Sequence, residues 1–588
     1  MKVLLLDQHT TPLVSAVFSQ SRLLAADVYL VDRIDNPAPR DRMAHLKCVC
    51  FVRPTPESLA LLAAELRSPK YAEYHLYFSN VVKKMALEKL AEADVHERVR
   101  DVVEVFLDFT AITPALYALD MDPAAWPVYA GSLADWDPNS LQRTVDALVA
   151  TCLALRRRPV IRYAGASPLA KRLAHEMAFA TGSGNGEPGL FDGPGSVRGP
   201  NSLAPATLLL LDRRSDPTTP LLAQWTYQAM VHELIGIDRG IVDLAHVDGI
   251  AADLKQVPLA AHDDRFYAQH LHSNFGDLGF AIKRYLDEYQ SKTAAHATFE
   301  SIADMKKFVD AYPEVRKLAG NVAKHVALTS ELSRVVDAYG LLKVSEAEQN
   351  VACDPRDQTE GVWAVLRDDT VPVDLKVKLV ALLALRDPRS PTMAAMAQHL
   401  ASPAGGGASA PQLALIDCLV KYGLPDGPGG SGAGTAVAAS GSSVSGAGGA
   451  AASADVLLDK TRMLGKSVFR GLKGVENVYT QHAPKMHATL EALVRGKLKE
   501  AQFPFVDPVA ASASGFSGAG PGGNATARAA DVIVFVIGGC TYEEARFAAQ
   551  LSAATPGVRI VVGGHTVLNS QSFMKQVHDT FAYRISPM

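Results

Sequence analysis

The chain has 588 residues, 58 basic and 62 acidic side chains, a net charge of −4 and 48% apolar residues. That length exceeds one hydrophobic core and points to about three to five domains, and the nearly balanced charge excludes an electrostatic nucleic-acid or anionic-membrane surface as the basis of function. No apolar run reaches the ~18 residues of a membrane helix, and Asp7 interrupts the one apolar start, so the chain reads as a soluble cytoplasmic protein without a leader segment.

Strand signals come first. Val3–Leu6, Val28–Val31, Cys48–Val52, Tyr74–Phe78 and Val105–Leu107 read as strands, with helices between them, for example at Ser58–Leu66 and Val81–Ala93. This alternation predicts a doubly wound parallel sheet, closed off by Pro123, Trp126 and Pro127. A second α/β region follows, with helix Leu141–Leu155, strand Pro159–Tyr163, helix Ser167–Ala180 and strand Leu208–Asp212. Four leucines before Asp212 suit a strand buried on both faces. Thr219 is placed to cap the next helix, with Pro220 at its first position, where no amide donor is needed. The N-terminus carries the same wording: VLLLDQHTTPLV beside LLLLDRRSDPTTPLL. Two copies predict two separate sheets.

From about residue 250 to 480 helical periodicity takes over. Val315, Leu318, Ala319 and Val322 share one face, and Leu328, Leu332, Val335, Val336 and Tyr339 share the next. Val377–Leu385 and Leu413–Tyr422 continue the pattern. Segments rich in glycine at 182–201, 427–453 and 510–530 bury too little to offset their ordering entropy and are expected to be disordered. Strand character then returns at Asp531–Gly539 and Val558–Gly564, with Thr541 and Glu544 forming a capping box between them. One strand–helix–strand unit cannot make its own core, so it should rejoin the second sheet. The domains are therefore 1–130, a discontinuous 131–247 with 475–588, and a mostly helical 248–474.

Motifs for catalysis are incomplete. GNGEPG at Gly184–Gly189 follows a helix rather than a strand, Lys460 occupies the glycine position that Gly465–Lys466–Ser467 would need for a phosphate loop, and His232–Glu233 has no second histidine. No GxSxG elbow occurs. Asp7 and Asp212 could hold Mg²⁺ or a phosphoryl group, or could bond amides of the following turn; Gly538–Gly539 could cradle phosphate or serve a tight turn. The six cysteines include no CxxC pair, Cys48 and Cys50 share a strand face, and buried reduced thiols are expected. Catalytic, metal and cofactor sites are all expected to be absent.

Five segments together carry a resemblance: LLLLDRRSDPTTPLLAQWTYQAMVHELIGI, LLKVSEAEQNVAC, FRGLKGVENVYTQHAPKMHATLEALVRGKLKE, DVIVFVIGGCTYEEA and TPGVRIVVGG. In this order the chain resembles the Sec/Munc-type, or SM, family of SNARE regulators, and within it the endosomal and trans-Golgi member. The resemblance implies an α/β fold with an α-helical insertion, a three-domain arch of two parallel-sheet (Rossmann-like) domains and one large mostly helical domain. It implies a non-enzymatic protein that binds a Qa-type syntaxin and the assembled SNARE complex, reaching trans-Golgi and endosomal membranes peripherally through the SNARE. It also implies three surfaces: a pocket for the syntaxin N-terminal peptide lined by Phe106, Ile112 and Leu119; a cavity face of domain 1 carrying Arg33, Arg40 and Arg42; and a helical hairpin hinged at Pro313. A syntaxin chaperone or tether, and more remotely a nucleotide-dependent enzyme, are the rival readings.

Overall fold

The computed structural model describes residues 1–182, 191, 204–294, 302–423, 479–507 and 530–583. The glycine-rich segments therefore lie outside the described residues, save Gly182, Phe191 and Ala530, as do Gly465–Lys466–Ser467.

The first sheet is built from β1 (Lys2–Leu6), β2 (Val28–Arg33), β3 (Met43–Val52), β4 (Tyr71–Phe78) and β5 (Val99–Glu104), all parallel, in the order β2-β1-β3-β4-β5. The apolar run Val3–Leu6 lies inside the sheet, between β2 and β3, with both its faces covered; Val3 and Leu5 are fully buried with Cys48, Cys50 and Val52 against the helix Pro56–Arg67. Thr55 caps that helix by accepting from the Ser58 amide at 3.1 Å. The fifth strand differs from expectation. It is Val99–Glu104 rather than Val105–Leu107: VRDVVE is an exposed edge strand with no apolar run, and at Phe106 the backbone turns left-handed, φ 51°. The helix expected from Val81 starts at Lys84, since the Val82 amide donates instead to Glu104 at 2.8 Å.

The chain then changes sheets. β6 (Thr110–Thr113) and β7 (Leu116–Ala118) precede a short hairpin of β8 (Tyr129–Ala130) and β9 (Ser132–Trp136). Next come β10 (Arg157–Tyr163) and β11 (Ala204–Asp212), the hairpin β12 (Ile241–Asp243) and β13 (Gln256–Pro258), and finally β14 (Asp531–Ile537) and β15 (Arg559–Gly564). The second sheet runs β10-β11-β14-β15-β7-β6, parallel except for the β7/β6 pair. The C-terminal strand–helix–strand unit thus rejoins the sheet of residues 131–247, Leu208 facing Ile533 in register. A boundary at 130 needs correction, because residues 110–118 hydrogen-bond in the second sheet. Tyr117 pairs with Gly563, where an added Cβ would fall inside the tyrosine ring; those short strands carried too few apolar residues to signal which sheet they join.

Thr219 and Pro220 also depart from expectation. Thr219–Leu221 is a single 3₁₀ turn, and the α-helix begins only at Tyr227. Beyond it the fold is helical, from Arg265–His270 and Phe275–Ala294 through Ile302–Ala338, Leu341–Cys353 and Val373–Arg386 to Ala410–Tyr422. Leu328, Leu332, Val335 and Val336 are buried against Trp225, Tyr227 and Tyr267. Tyr339, expected on the same face, is 41% exposed, because the helix stops at Ala338 before Gly340 turns left-handed. Pro313 lies in the interior of Ile302–Ala338, which continues through it as one helix of 37 residues rather than breaking there.

Candidate functional site

In doubly wound sheets ligands collect outside the carboxyl ends of the strands, where strand order reverses. Asp7 stands at that point of the first sheet, ending β1, and is buried. Its carboxylate is already spoken for. Oδ1 accepts from the amides of His9 (2.9 Å) and Thr10 (2.8 Å), and Oδ2 from the Arg53 amide and Ser58 Oγ, both at 2.8 Å. Asp212, ending β11, accepts from the Arg214 amide at 2.9 Å and Ser167 Oγ at 2.5 Å, and burial pushes its carboxyl up. Both aspartates hold turns. The Gly538–Gly539 amides are engaged as well: Gly538 donates to His565 Nδ1 at 3.0 Å and Gly539 to the Val536 carbonyl. Their φ values of 91° and 115° are what the tight turn requires of glycine. Among the described residues, no group of three or more His, Cys, Asp or Glu could hold a metal ion.

The carboxyl edges instead serve as joints. Below the first sheet, Asp108 is gripped by Arg143 from the helix Pro138–Ala154, at 2.9 and 3.0 Å, and by Asn80 Nδ2 at 2.9 Å, with Arg53 at 3.5 Å. Burial pushes the Asp108 carboxyl up to about 6 while Arg53 pulls it down. At the second sheet, Arg213 reaches Glu544 at 2.5 Å, both buried, and donates to the carbonyls of Asp216 and Gly539. Arg214 donates to the Tyr422 carbonyl at 3.0 Å, tying in the helical region. Asp216 accepts from the Thr219 and Lys485 amides; burial raises its pKa, but Arg213 and His482 outweigh that and hold it below the usual range.

The long helix is fastened near its middle. His325, fully buried, meets Tyr227 OH through Nδ1 at 2.7 Å and Asp264 through Nε2 at 2.9 Å; Lys324 also pairs with Asp264. Burial lowers the His325 pKa, whereas His325 and Lys324 overcome burial to hold Asp264 well below the carboxylate range. A Tyr–His–Asp chain has catalytic grammar, but a histidine with no exposed surface meets no substrate. No sequence motif marked this trio, whose members are separated by up to 98 positions.

The anticipated surface residues scatter. Leu119 is not a surface residue: it is 3% exposed, packs with Tyr117, Met121 and Tyr129, and its amide donates to the Gly564 carbonyl as the chain runs out of β7. Ile112 is half-buried against the core that includes Leu116 and Leu209. Phe106 is half-buried and flanked by exposed Val105 and Leu107 at the crossing between sheets. Of the arginines, Arg33 pairs with Asp35, and Arg40 is occupied by Glu65 at 2.6 Å and by the carbonyls of Arg33 and Ile34. Arg42 is exposed and has no ion pair among the described residues. Pro313 lies within a helix whose side chains at that point are outside the description.

Two parallel sheets whose carboxyl edges are joints, with a helical insertion in the second, define a multidomain scaffold. The chain belongs to the Sec1 family, which it matches over residues 2–576. It is 40% identical to vacuolar protein sorting-associated protein 45 of Rattus norvegicus over 583 residues, covering 98% of this chain and 92% of the relative. The same-named protein of Saccharomyces cerevisiae is 34% identical, with 98% and 94% covered. A solved structure of the SM protein Vps45 in complex with the Qa SNARE Tlg2 superposes with a TM-score of 0.82 at 44% identity, covering 99% of this chain and 94% of that one. The expected fold class, α/β with a large helical insertion, is therefore that of SM proteins.

Proposed function

We propose that this chain is an SM-type regulator that binds a Qa syntaxin and promotes SNARE complex assembly in transport between trans-Golgi network, endosome and vacuole. It acts without catalysis, as a cytoplasmic protein held peripherally on trans-Golgi and endosomal membranes by its SNARE. One observation carries this reading: the fold agrees over 99% of the chain, at 44% identity, with an SM protein solved on a Qa SNARE. The helix Ile302–Ala338 supports it. At 37 residues it is about 55 Å long, long enough to lie along a helical SNARE.

In this reading domain 1 ends near residue 104, domain 2 gathers 105–247 with 475–588, and the helical domain spans 248–474. The N-terminal peptide of the syntaxin docks beside Phe106 and Ile112, without Leu119, and Arg33 and Arg42 face the SNARE helices, Arg40 serving to brace Glu65. Pro313 costs a continuous helix about 3 kcal/mol, which poises the hairpin between extended and bent forms. Reconstituted liposome fusion tests the function. The chain is expected to accelerate SNARE assembly; syntaxin binding with an unchanged assembly rate would hand the case to the chaperone or tether reading. Phe106→Asp is expected to weaken a fluorescent syntaxin N-terminal peptide at least about tenfold, and unchanged affinity would remove that pocket.

A further inference from the structure

The first sheet and the helical region share no core. The apolar clusters of the first sheet hold only residues 3–99 and the cluster behind the long helix only residues 225–479. Among the described residues a single ion pair joins the two: Arg22 Nη1 and Asp263 Oδ1, 3.9 Å apart, with 52% and 38% of their side chains exposed. A buried apolar seam would hold the two regions together permanently. An exposed pair shifts a population by only about two- to fivefold, so it makes and breaks.

Both partners are set in place before they meet. Arg22 belongs to the short helix Gln20–Ala25, which packs against β2, and the same Nη1 donates to the Val17 carbonyl at 3.2 Å. Asp263 sits in a tight turn, where its own amide and that of Asp264 both donate to the Ala260 carbonyl, at 3.1 and 3.0 Å. His262 Nε2 lies 3.3 Å from its other oxygen. Few rotamers are left to freeze, so this pair belongs at the upper end of what exposed pairs contribute. Its position gives it a consequence. β2 ends on Arg33, on the face proposed for the SNARE helices, and Asp264, next to Asp263, fastens Lys324 and His325 of the long helix. Lys324 Nζ also donates to the Pro258 carbonyl at 3.3 Å, so the turn and the helix move together. The pair therefore draws together the two elements between which a SNARE is proposed to lie.

We propose that Arg22 and Asp263 form a latch that closes the first sheet onto the foot of the long helix and that opens to admit the SNARE. The gate rests on the reading of those two faces as SNARE surfaces; the latch does not. If only the open form binds, apparent affinity is reduced by the fraction that is open. The first test therefore uses the full chain alone, with nitroxides on Ala26→Cys and Gln269→Cys, both exposed sites, and with the half-buried Cys353 and Cys418 replaced by Ser. Pulsed EPR should show a short distance predominating at about 0.1 M salt. Arg22→Glu should lengthen it, as should about 1 M salt, which cuts the screening length to about 3 Å. The reversed pair, Arg22→Glu with Asp263→Lys, should restore the short distance. The second test titrates the same proteins with residues 1–310 of Tlg2, the Qa SNARE solved with a related SM protein. Arg22→Glu should bind it about two- to fivefold tighter than the unaltered chain, and the reversed pair should return to the original affinity. Equal distances in the unaltered chain and Arg22→Glu would overturn the latch. A longer distance with no gain in affinity would overturn the gate. Tlg2 bound by none of the three proteins would strike the SNARE reading and the gate with it, while the distances still decide the latch.

Discussion

The two copies of the D-x-x-T turn are the same device in different surroundings. In the first sheet Asp7 accepts from the amide of Thr10; in the second it is Asp216, not the strand-ending Asp212, that does the same for Thr219, at 3.1 Å. The spacing is identical, three residues, and Pro follows two and one positions later. After Thr10 the chain continues into the helix Thr10–Val17, whose residues are mostly half-buried or exposed. After Thr219 it makes one 3₁₀ turn, because Thr219, Pro220 and Leu221 are buried beneath the helical region, and the α-helix waits until Tyr227. A local motif fixes its own hydrogen bonds; what packs on it decides whether a helix follows. The same contrast holds for the joints: the first sheet's edge meets the helix Pro138–Ala154 through Asp108 and Arg143, while the second is sealed by β14, by the helix after it and by the helical insertion.

The strongest way to break this contrast is at Arg213. Arg213→Met strands the buried Glu544 carboxylate, and a loss of about 3–5 kcal/mol is expected, measured by urea unfolding followed by tryptophan fluorescence. A loss below about 1 kcal/mol would mean the pair behaves as if it were at the surface. Asp108→Asn tests the other joint. It keeps the Asn80 contact but removes the charge from a bidentate arginine, so about 2–3 kcal/mol should go, with limited proteolysis cutting near residues 105–109 sooner than elsewhere.

The two edges should also part company with pH. His565, buried in the second unit, has its pKa driven by burial down to about 3. Unfolded, it titrates near 6.5. Between these values the unfolded chain binds a proton that the folded chain refuses, so stability falls as pH drops below about 6.5, by roughly 1.4 kcal/mol per pH unit. From pH 7 to 5 that amounts to about 2 kcal/mol. A folded His565→Gln protein should lose this share of the slope, and denaturation curves at the two pH values read it directly; an unaltered slope would clear His565 of the role.

Much of this was legible in the chain. The buried runs VLLL, LLLL, VIVFVI and RIVV announced central strands, and the return of the C-terminal unit to the second sheet followed from its inability to bury itself. The capping box of Thr541 and Glu544 is present, at 2.9 and 3.3 Å. What escaped were features whose cause is not local. β5 is charged and exposed, so no apolar pattern betrays it. Leu119 looked like a candidate lining residue only because the change of sheet that buries it depends on β15, more than 400 residues away. Pro313, which the resemblance makes a hinge, lies inside one continuous helix.

The finest distinction lies in the two threonine hydroxyls. Thr10 Oγ1 donates to the Phe51 carbonyl at 2.6 Å and accepts from the Asp7 amide, all within the first sheet. Thr219 Oγ1 donates to Asp216 at 2.6 Å, which leaves it to accept the proton of His482 Nε2 at 3.0 Å, a partner that enters only with the segment after residue 478. Thr10→Val and Thr219→Val should each cost about 1–2 kcal/mol, so single variants do not separate them. A double-mutant cycle does. With His482→Phe as the second change, Thr219→Val should show a coupling of about 0.5–1 kcal/mol and Thr10→Val none, since contacting residues couple and distant ones add. Coupling in both cycles would mean that the first sheet's turn feels the segment after residue 478 too, and the two edges would no longer be separate joints.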